Sequence, residues 1–345
     1  MRRTTRRTTK SKTKTTSGSL TLLSLALLTS STTAQNNTKR GIAYVGNTHT
    51  PDNALLQSPT SPLSWYYNWS PYPSTAQLSP NNIEFIPLIH GTSDAADSAT
   101  SRALSSLPKS STHLLTFNEP DGEKDTGGSS ISPEDAARAY IDHILPFREG
   151  KKGGKKWLIS HPSTTGSPRG LDWLRDFNSS CYDIDPSNGC PTDFIAAHWY
   201  GAFDGLTSWL GSLDDFYNGN RSGSSSEPKL RIWVTEMALP QGDESATVDM
   251  MRRSLEYLDG EEGVERYAWF GAFRADDANE WTGDGVALFD GEGGLTELGA
   301  LYLGGEGNGF VEGQKGEGGA GGVRANVGVL FFCLVMLVLI LPGYW

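Results

Sequence analysis

The amino-acid sequence predicts a single (β/α)8 barrel of the α/β class. Eight short segments have the composition of buried parallel strands, and the stretches between them are long enough for crossover helices. All eight lie within residues 40–303, a length typical of one such barrel. The alternative is a doubly wound open sheet, which would need a glycine-rich phosphate-binding turn after an early strand, and the sequence has none.

The predicted strands are apolar or aromatic runs flanked by Gly, Pro, Asn or Ser. The clearest helix start follows the fourth strand. Ser132 is the N-cap, Pro133 takes the first helical position, and Glu134 and Asp135 fill the first turn of a helix that continues through residues 136–145. Strands that alternate with helices predict a parallel sheet, and eight of them a closed barrel. In chain order the predicted strands are residues 41–46, 63–69, 83–90, 113–118, 156–161, 193–200, 230–236 and 265–273.

Two of these strands end on a glutamate. Glu119 follows the fourth strand and precedes Pro120, and Glu236 ends the seventh. The carboxyl ends of barrel strands form the rim on which active sites are built. Retaining cleavage of a glycosidic bond needs two carboxyl groups about 5 Å apart, one as proton donor and one as nucleophile. We therefore expect Glu119 and Glu236 to be catalytic.

The side-chain period of two in a strand predicts which residues share a face with each glutamate. It places Phe117 with Glu119 on the fourth strand and Val234 with Glu236 on the seventh. Trp233 falls on the opposite face, where we expect it to pack against helices.

Polar side chains on neighbouring strands complete the predicted site. His198 and Tyr200 share a face of the sixth strand. Tyr200 could hydrogen-bond the nucleophile and keep it ionised, or be an ordinary half-buried aromatic. His198 is better interpreted as a core histidine with its hydrogen bonds satisfied than as a ligand contact. Asn118 could hold a sugar hydroxyl.

Aromatic side chains at the same rim could stack on sugar rings. Trp269 on the eighth strand, with Tyr67 and Trp69 on the second, offers flat apolar faces. The acidic stretch 276–280 and Trp281 after it are interpreted as a solvated loop, with a substrate role left open. The sequence predicts no metal site and no cofactor.

Both ends of the chain are predicted to be targeting or anchoring signals rather than parts of the fold. Residues 1–34 carry seven basic residues, an apolar run and small residues before Gln35, which is the order of a secretory signal; a transit peptide is the alternative. Residues 304–326 form a Gly/Glu-rich linker. Residues 327–345 are an apolar tail, interpreted as a glycolipid-anchor signal or as a plain membrane anchor. Either tail places the protein at the cell surface or wall, attached to the membrane.

Charge and cysteine content restrict the partners and the compartment. The net charge is −11, and without the seven basic residues of the signal it is −18, which disfavours nucleic acid and favours a neutral polymer. Cys181 and Cys190 flank a turn and are expected to form a disulfide, with two free thiols as the alternative. We expect a monomer. Sequons at Asn36, Asn68, Asn178 and Asn220 are compatible with secretion.

Taken together, these motifs resemble those of glycoside hydrolase family 128, and the resemblance covers most of residues 40–303. It rests on five motifs. The family implies a small (β/α)8 barrel that acts on the polysaccharide β-1,3-glucan with retention, Glu119 as acid/base and Glu236 as nucleophile. It also makes Asn68 a candidate sugar contact, beside the residues named above. The motifs are Tyr67-Asn68-Trp69, Phe117-Asn118-Glu119-Pro120-Asp121, His198-Trp199-Tyr200-Gly201, Trp233-Val234-Thr235-Glu236 and Tyr267-Ala268-Trp269-Phe270.

At the third strand Ile89-His90-Gly91 departs from the pattern, because relatives often carry a tryptophan before the glycine. Related alternatives are a transglycosylase or another β-glycanase of the same clan. An alternative of a different class is a catalytically silent glucan-binding surface protein, which would have no need of both glutamates.

Overall fold

The computed structural model describes residues 39–45, 48–75, 78, 83–219 and 228–316. The predicted signal sequence, the apolar tail and the sequons at Asn36 and Asn220 lie outside these residues. Within them, no helix is both long enough and apolar enough to cross a bilayer.

The strands pair in parallel and follow one another around a barrel. Six form one sheet in the order β3-β2-β1-β9-β8-β7, and three form a second in the order β4-β5-β6. Each of the eight predicted segments overlaps an observed strand, so the predicted strand order is confirmed. The strands are β1 Arg40–Tyr44, β2 Trp65–Tyr67, β3 Glu84–Phe85, β4 Leu88–Ile89, β5 His113–Thr116, β6 Leu158–Ile159, β7 Ile195–Tyr200, β8 Ile232–Ala238 and β9 Val264–Ala272.

The two sheets join into one ring of eight strand positions. β3 and β4 are parts of a single barrel strand that is interrupted at Pro87, which has no N–H to donate. On the other side a parallel bridge joins Ser160 to Phe194, and the backbone N–H of Asp193 donates to the carbonyl oxygen of Ile159 at 2.9 Å. The fold is therefore the predicted (β/α)8 barrel.

Helices occupy the connections on the outside of the barrel. The helix after the fourth barrel strand begins as predicted, since the Ser132 hydroxyl accepts a hydrogen bond from the Asp135 N–H at 3.1 Å. It widens into a π-helical segment, Tyr140–Ile144, just before Pro146, which lacks the N–H of a regular turn. The α-helices are α1 Asn53–Leu56, α2 Thr92–Ala96, α3 Ser98–Ser106, α4 Pro133–Ala139, α5 Leu145–Arg148, α6 Pro168–Ile184, α7 Phe203–Asn218, α8 Glu244–Gly260 and α9 Glu297–Tyr302.

The core has two layers, one inside the barrel and one between barrel and helices. The inner layer contains strand residues such as Trp65, Leu115 and Trp233. The outer layer joins strand residues such as Val234 and Trp269 to the helices. The expectation that Trp233 packs against helices is therefore wrong. Its ring fills the barrel interior, 5.6 Å from that of Trp65.

The disulfide prediction is confirmed, since Cys181 in α6 is bonded to Cys190 ahead of β7. The predicted start of the linker at residue 304 is wrong. Residues 304–316 pack on the barrel, with the Phe310 side chain only 1% exposed and the Leu295 N–H donating to the Gln314 carbonyl oxygen at 2.9 Å. Backbone hydrogen bonds need no side chains, so a glycine-rich composition does not exclude them.

Candidate active site

Glu119 is brought to the rim by an unusual backbone conformation. Phe117 and Glu119 both have left-handed backbone angles, with φ of +45° and +38°. In this region the backbone of any residue other than glycine is strained. The twist turns the Phe117 ring outward, 6.5 Å from that of Tyr140. The predicted common face of Phe117 and Glu119 is therefore wrong, although Glu119 itself reaches the expected rim.

The backbone around Glu119 is held on both sides. Its N–H donates to the Ser163 carbonyl oxygen at 2.8 Å, and its own carbonyl oxygen accepts from the Gly122 N–H at 2.9 Å. Gly128 lies so close that an added Cβ would be 2.8 Å from the Glu119 carbonyl oxygen. These contacts stabilise the strained conformation and fix the position of the carboxyl group.

Glu236 reaches the rim through a β-bulge. Along β7 and β8, Ala197 pairs with Val234 but the next residue, His198, pairs with Glu236, so Thr235 is an extra residue in the ladder. The bulge resets the side-chain alternation. Val234 faces the outer layer, whereas Glu236 faces the mouth of the barrel; the predicted common face of these two residues is wrong.

Three aromatic side chains donate hydrogen bonds to the Glu236 carboxylate, which is only 5% exposed. The Tyr67 hydroxyl and the Trp69 indole N–H donate to Oε1 at 2.6 and 2.7 Å, and the Tyr200 hydroxyl donates to Oε2 at 2.5 Å. Burial, reinforced by the charge of Glu236, raises the pKa values of Tyr67 and Tyr200 well above the usual range, so both remain protonated donors. Such donors stabilise the ionised carboxylate.

This geometry agrees with the contact suggested for Tyr200 and changes the roles suggested for Tyr67 and Trp69. Both were expected to present ring faces to sugar, but their polar atoms point at Glu236.

His198 lies between the two glutamates, with its side chain 1% exposed. Its Nδ1 is 2.9 Å from Oε1 of Glu119, and its Nε2 is 3.4 Å from Oε1 of Glu236. Nε2 has no hydrogen-bond partner among the described residues. The interpretation of His198 as a satisfied core histidine is therefore wrong, because its neighbours are the two candidate catalytic carboxyl groups.

Burial and charge shift the pKa values in this cluster. Burial raises the pKa of Glu119, and the His198 hydrogen bond and charge oppose that rise. Burial lowers the pKa of His198, but the Glu236 charge and the contact with Glu119 outweigh it, so the net pKa is raised. Glu119 thus has the environment of an acid that retains its proton, beside a carboxylate that is stabilised in its ionised form.

One side-chain N or O atom from each of Glu119, His198 and Glu236 lies within 4.8 Å of the other two. Retaining glycosidases place their carboxyl groups about 5 to 5.5 Å apart, and inverting enzymes about 6.5 to 9.5 Å apart to admit a water molecule. Carboxyl oxygens of Glu119 and Glu236 within 4.8 Å of each other place the pair nearer to the retaining than to the inverting arrangement. A metal ion could in principle bind three such ligands. The hydrogen bond between Glu119 and His198, and the donors already on Glu236, favour a hydrogen-bonded cluster instead.

Two predicted asparagines lie at the rim with an unused acceptor. Asn118 is 3% exposed and donates through Nδ2 to the Gly127 carbonyl oxygen at 3.0 Å. Asn68 donates to the Tyr72 carbonyl oxygen at 3.0 Å. Among the described residues, the buried Oδ1 atom of each has no partner.

Trp269 does not join this group. Its side chain is fully buried in the outer layer, and its indole N–H donates to the Val286 carbonyl oxygen at 2.9 Å. Strand alternation turns Ala268 and Phe270 inward instead. The prediction that Trp269 offers a face to sugar is therefore wrong.

Trp281, which the sequence predicts in a solvated loop, lies beside the cluster. Its side chain is 56% exposed, and its ring stands edge-on to that of Tyr200 at 4.7 Å. The Gln241 side-chain amide holds this loop by donating to the carbonyl oxygens of Glu280 and Trp281, at 2.7 and 3.1 Å. An exposed tryptophan in the loop after the last barrel strand was the available signal, but the acids before it suggested a surface role.

A cavity of about 290 Å³ lies between the loops after β1 and β9, with Phe270 between it and the aromatic donors of Glu236. Phe270 forms part of its wall and contacts the rings of Trp69 and Tyr200 at 5.9 and 5.8 Å. The loops after β1 and β9 form the other walls, joined by the ion pair of Arg274 with Asp52 at 2.8 Å.

Comparison with known proteins identifies a family. Residues 41–302 match the family described as the glycosyl hydrolase catalytic core. Among curated proteins, the chain is 32% identical over 276 residues to alkali-sensitive linkage protein 1 of Schizosaccharomyces pombe. The aligned region covers 77% of this chain and 44% of that protein. The chain thus spans less than half the length of this relative.

Solved structures of glycoside hydrolase family 128 have the same fold. A curdlan-specific exo-β-1,3-glucanase from Blastomyces gilchristii, in complex with glucose, is 29% identical with a TM-score of 0.54, over 78% of this chain and 99% of that one. An endo-β-1,3-glucanase from Amycolatopsis mediterranei, in complex with laminaritriose, is 25% identical with a TM-score of 0.56, over 77% and 98%. An exo-β-1,3-glucanase from Aureobasidium namibiae, 22% identical over 77% and 95% with a TM-score of 0.61, shares the fold.

Proposed function

Because the chain belongs to the glycosyl hydrolase catalytic core family, as a member of glycoside hydrolase family 128, we propose that it cleaves β-1,3-glucan with retention of configuration. Glu119 is the acid/base and Glu236 the nucleophile.

The unequal environments of the two glutamates carry this proposal. Glu236 receives three hydrogen bonds from aromatic side chains, which favour the charged form that attacks a sugar. Glu119 has a raised pKa because of burial, which favours the protonated form that assists the leaving group. Two close carboxyl groups with divergent environments are the basis for assigning acid and nucleophile.

The reaction follows from these positions in two steps. In the first, Glu236 attacks the anomeric carbon while Glu119 gives its proton to the glycosidic oxygen, leaving a glycosyl ester and an ionised Glu119. In the second, Glu119 takes a proton from water, whose oxygen attacks the anomeric carbon and releases Glu236. Two inversions retain the configuration.

The substrate class is supported by the relatives and by the site itself. The β-1,3-glucanases described above act on neutral glucans, and the net negative charge of this chain disfavours acidic polymers. Oδ1 of Asn118 has no partner among the described residues and could accept a hydrogen bond from a sugar hydroxyl. The exposed ring of Trp281 could stack on a sugar.

Incubation of the purified protein with laminarin tests the proposal most directly. We expect new reducing ends, little effect of moderate salt because the substrate is neutral, and slower turnover of mannan, xylan and polygalacturonate. Faster turnover of mannan or xylan than of laminarin would contradict the substrate. Intact laminarin with measurable binding would instead support a silent glucan-binding protein, and products longer than the substrate would reveal transglycosylation.

Azide rescue separates the roles of the two glutamates. With Glu119→Ala and an activated aryl β-glycoside, Glu236 still forms the ester, and azide, which needs no base, should release the β-glycosyl azide. With Glu236→Ala there is no ester, so a single attack by azide should give the α-glycosyl azide. The reverse pair of products would show that Glu236 is the acid/base and Glu119 the nucleophile.

We also propose that the protein is exported and attached to the cell surface, either by a glycolipid that replaces the tail of residues 327–345 or by this tail itself. The basic and apolar order of residues 1–34 and the apolar tail support this. A phospholipase that cleaves glycolipid anchors should release the protein from membranes, and replacement of Leu334 and Leu337 by Arg should send it to the medium. Phospholipase-resistant protein that still carries residues 327–345 would show a plain membrane anchor.

A further inference from the structure

His198 contacts Glu119 in a way that treats the two oxygens of that carboxyl group differently. Oε1 lies 2.9 Å from Nδ1 of His198. Among the described residues, the His198 ring is the one side chain that hydrogen-bonds the Glu119 carboxyl group. Oε2 thus has no partner in this part of the chain.

The position of the transferable proton depends on which oxygen carries it. A proton on Oε1 would be donated to Nδ1 of His198 across the 2.9 Å contact and would be unavailable to a substrate. A proton on Oε2 is not shared with any residue that the structure describes. Acid catalysis therefore requires that Nδ1 carry its own hydrogen and donate it to Oε1, which leaves Oε2 as the protonated oxygen.

The charges around His198 favour a hydrogen on Nδ1. Glu119 at the end of β5 and Glu236 on β8 face the ring directly, and Asp121 contributes a more distant negative charge. Tyr67 and Tyr200 remain neutral because burial raises their pKa values. A carboxyl group faces each ring nitrogen, and the raised pKa of His198 favours the imidazolium ion. The imidazolium carries a hydrogen on Nδ1, which supplies the donor to Glu119.

We propose that His198 is a positioning residue for the acid/base of the proposed reaction: its Nδ1–H occupies Oε1 of Glu119, confines the transferable proton to Oε2, and stabilises the carboxylate after that proton has left. The proton balance is simple. Glu119 loses the Oε2 proton to the glycosidic oxygen in the first step and regains one from water in the second, while the Nδ1 proton of His198 stays in place. This inference rests on the proposed function of Glu119.

Two isosteric substitutions separate the contacts of the ring. The side-chain amide nitrogen of asparagine occupies roughly the position of Nδ1, so His198→Asn keeps a donor to Glu119. The amide nitrogen of glutamine reaches roughly the position of Nε2, so His198→Gln keeps a donor toward Glu236 and loses the one to Glu119. Circular dichroism and thermal unfolding of both variants verify that they fold.

The pH profile of kcat/KM on laminarin is the first measurement. Its basic limb reports loss of the acid's proton in the free enzyme. Because the His198 hydrogen bond lowers the pKa of Glu119, its removal in His198→Gln should move this limb up by about 1 pH unit or more. His198→Asn should move it less and retain more activity. Equal limbs in all three proteins, or a larger shift in the asparagine variant, would overturn the proposal.

The second measurement uses an aryl β-glycoside with a good leaving group, for which hydrolysis of the ester limits kcat. Loss of the donor that stabilises ionised Glu119 should lower kcat by roughly 10-fold or more in His198→Gln, and by less in His198→Asn. Equal losses in the two variants would indicate a merely structural role.

A third measurement needs no substrate. The carboxyl carbon of Glu119, labelled with ¹³C and assigned with Glu119→Gln, can be titrated by NMR in the wild-type protein and both His198 variants. We expect the apparent pKa of Glu119 to rise in the order wild type, His198→Asn, His198→Gln, and any other order would overturn the inference. If the protein cleaves no glucan, the proposed function fails while this titration still decides the role of His198.

Discussion

The two buried histidines at the carboxyl ends of the strands behave in opposite ways. His198 lies between two carboxyl groups, and its pKa is raised. His161, after β6, lies among aromatic rings; it donates through Nε2 to the Cys190 carbonyl oxygen at 2.6 Å, and its Nδ1 accepts from the Tyr217 hydroxyl at 3.0 Å. Burial lowers the pKa of His161 to about 4, against a weaker opposing effect of the carbonyl.

The comparison shows that burial and cavity size do not by themselves locate a catalytic centre. The cavity beside His161 has a volume of about 840 Å³, and the one between the loops after β1 and β9 has a volume of about 290 Å³, yet neither is lined by Glu119 or Glu236. What distinguishes the cluster of Glu119, His198 and Glu236 is a pair of carboxyl groups whose environments differ. His161 is neutral and has a partner on each nitrogen, so it serves the packing of the barrel against its helices.

The largest expected effect comes from removing either carboxyl group at the rim. Glu119→Ala and Glu236→Ala should each lose at least roughly 10² to 10⁴ in rate on laminarin, the range attributed to one positioned acid or base. Because a strained or crowded catalytic site is relieved, neither variant should be much less stable. Initial rates and melting temperatures test both statements. His161→Gln is the control and should keep most activity; wild-type rates in either glutamate variant would place the site elsewhere.

The pH dependence of the free energy of unfolding tests the contrast between the two histidines through His161. The unfolded state binds a proton near pH 6.5, but folded His161 stays neutral down to about pH 4, so the free energy of unfolding falls as the pH drops through this window. The full contribution is about 3 kcal/mol. Urea unfolding between pH 4 and 7 measures it. His161→Gln should flatten this part of the profile, and an unchanged slope in that variant would refute the assignment.

Removal of one hydrogen-bond donor from Glu236, the proposed nucleophile, should have an intermediate effect. Tyr200→Phe deletes the hydrogen bond to Oε2 of Glu236 and should lower kcat by about 10 to 10², since hydrogen bonds to charged groups contribute roughly 1.5 to 3 kcal/mol. Tyr217→Phe, which deletes the hydroxyl beside His161, is the matched control and should leave kcat nearly unchanged. Equal effects of the two substitutions would remove the distinction between the regions.

The smallest effect concerns the exposed ring at the rim. Trp281→Ala should raise KM for laminarin by about 2- to 10-fold with little change in kcat, as expected for a stacking contact of about 0.5 to 1.5 kcal/mol. Trp269→Ala removes a fully buried ring, so it should lower the melting temperature rather than weaken substrate binding. Steady-state kinetics and thermal unfolding separate the two outcomes. A KM effect confined to Trp269→Ala would restore the original prediction.

The sequence was sufficient for the barrel because strand identity depends on local composition. Pro87 explains why the third strand appears in two parts, and Ser132 marks a helix start that the structure contains. Glu119 and Glu236 were found because each ends a recognisable strand. These features depend on neighbouring residues alone.

Side-chain direction at the site could not be predicted from the sequence because local irregularities reset the alternation. The left-handed angles at Phe117 and Glu119 and the bulge at Thr235 each turn a side chain to the other face. Both depend on tertiary contacts that hold strain in place. The position of His198 between the glutamates depends on three strands meeting at one rim, which no single segment encodes.

The folded segment 304–316 limits how far the mouth of the barrel can lie from a surface to which the chain is attached. Its last residue, Gly316, lies against Pro51, in the loop after β1 whose neighbour Asp52 lines the cavity between this loop and the one after β9. Gly316, the last described residue, therefore lies at the rim that carries Glu119 and Glu236. Residues 317–326 can span at most about 35 Å when fully extended. If the chain is fixed to a surface at or before residue 327, by a glycolipid or by the tail itself, the mouth of the barrel stays within about that distance of the attachment point. The protein then meets only the glucan strands near its anchor.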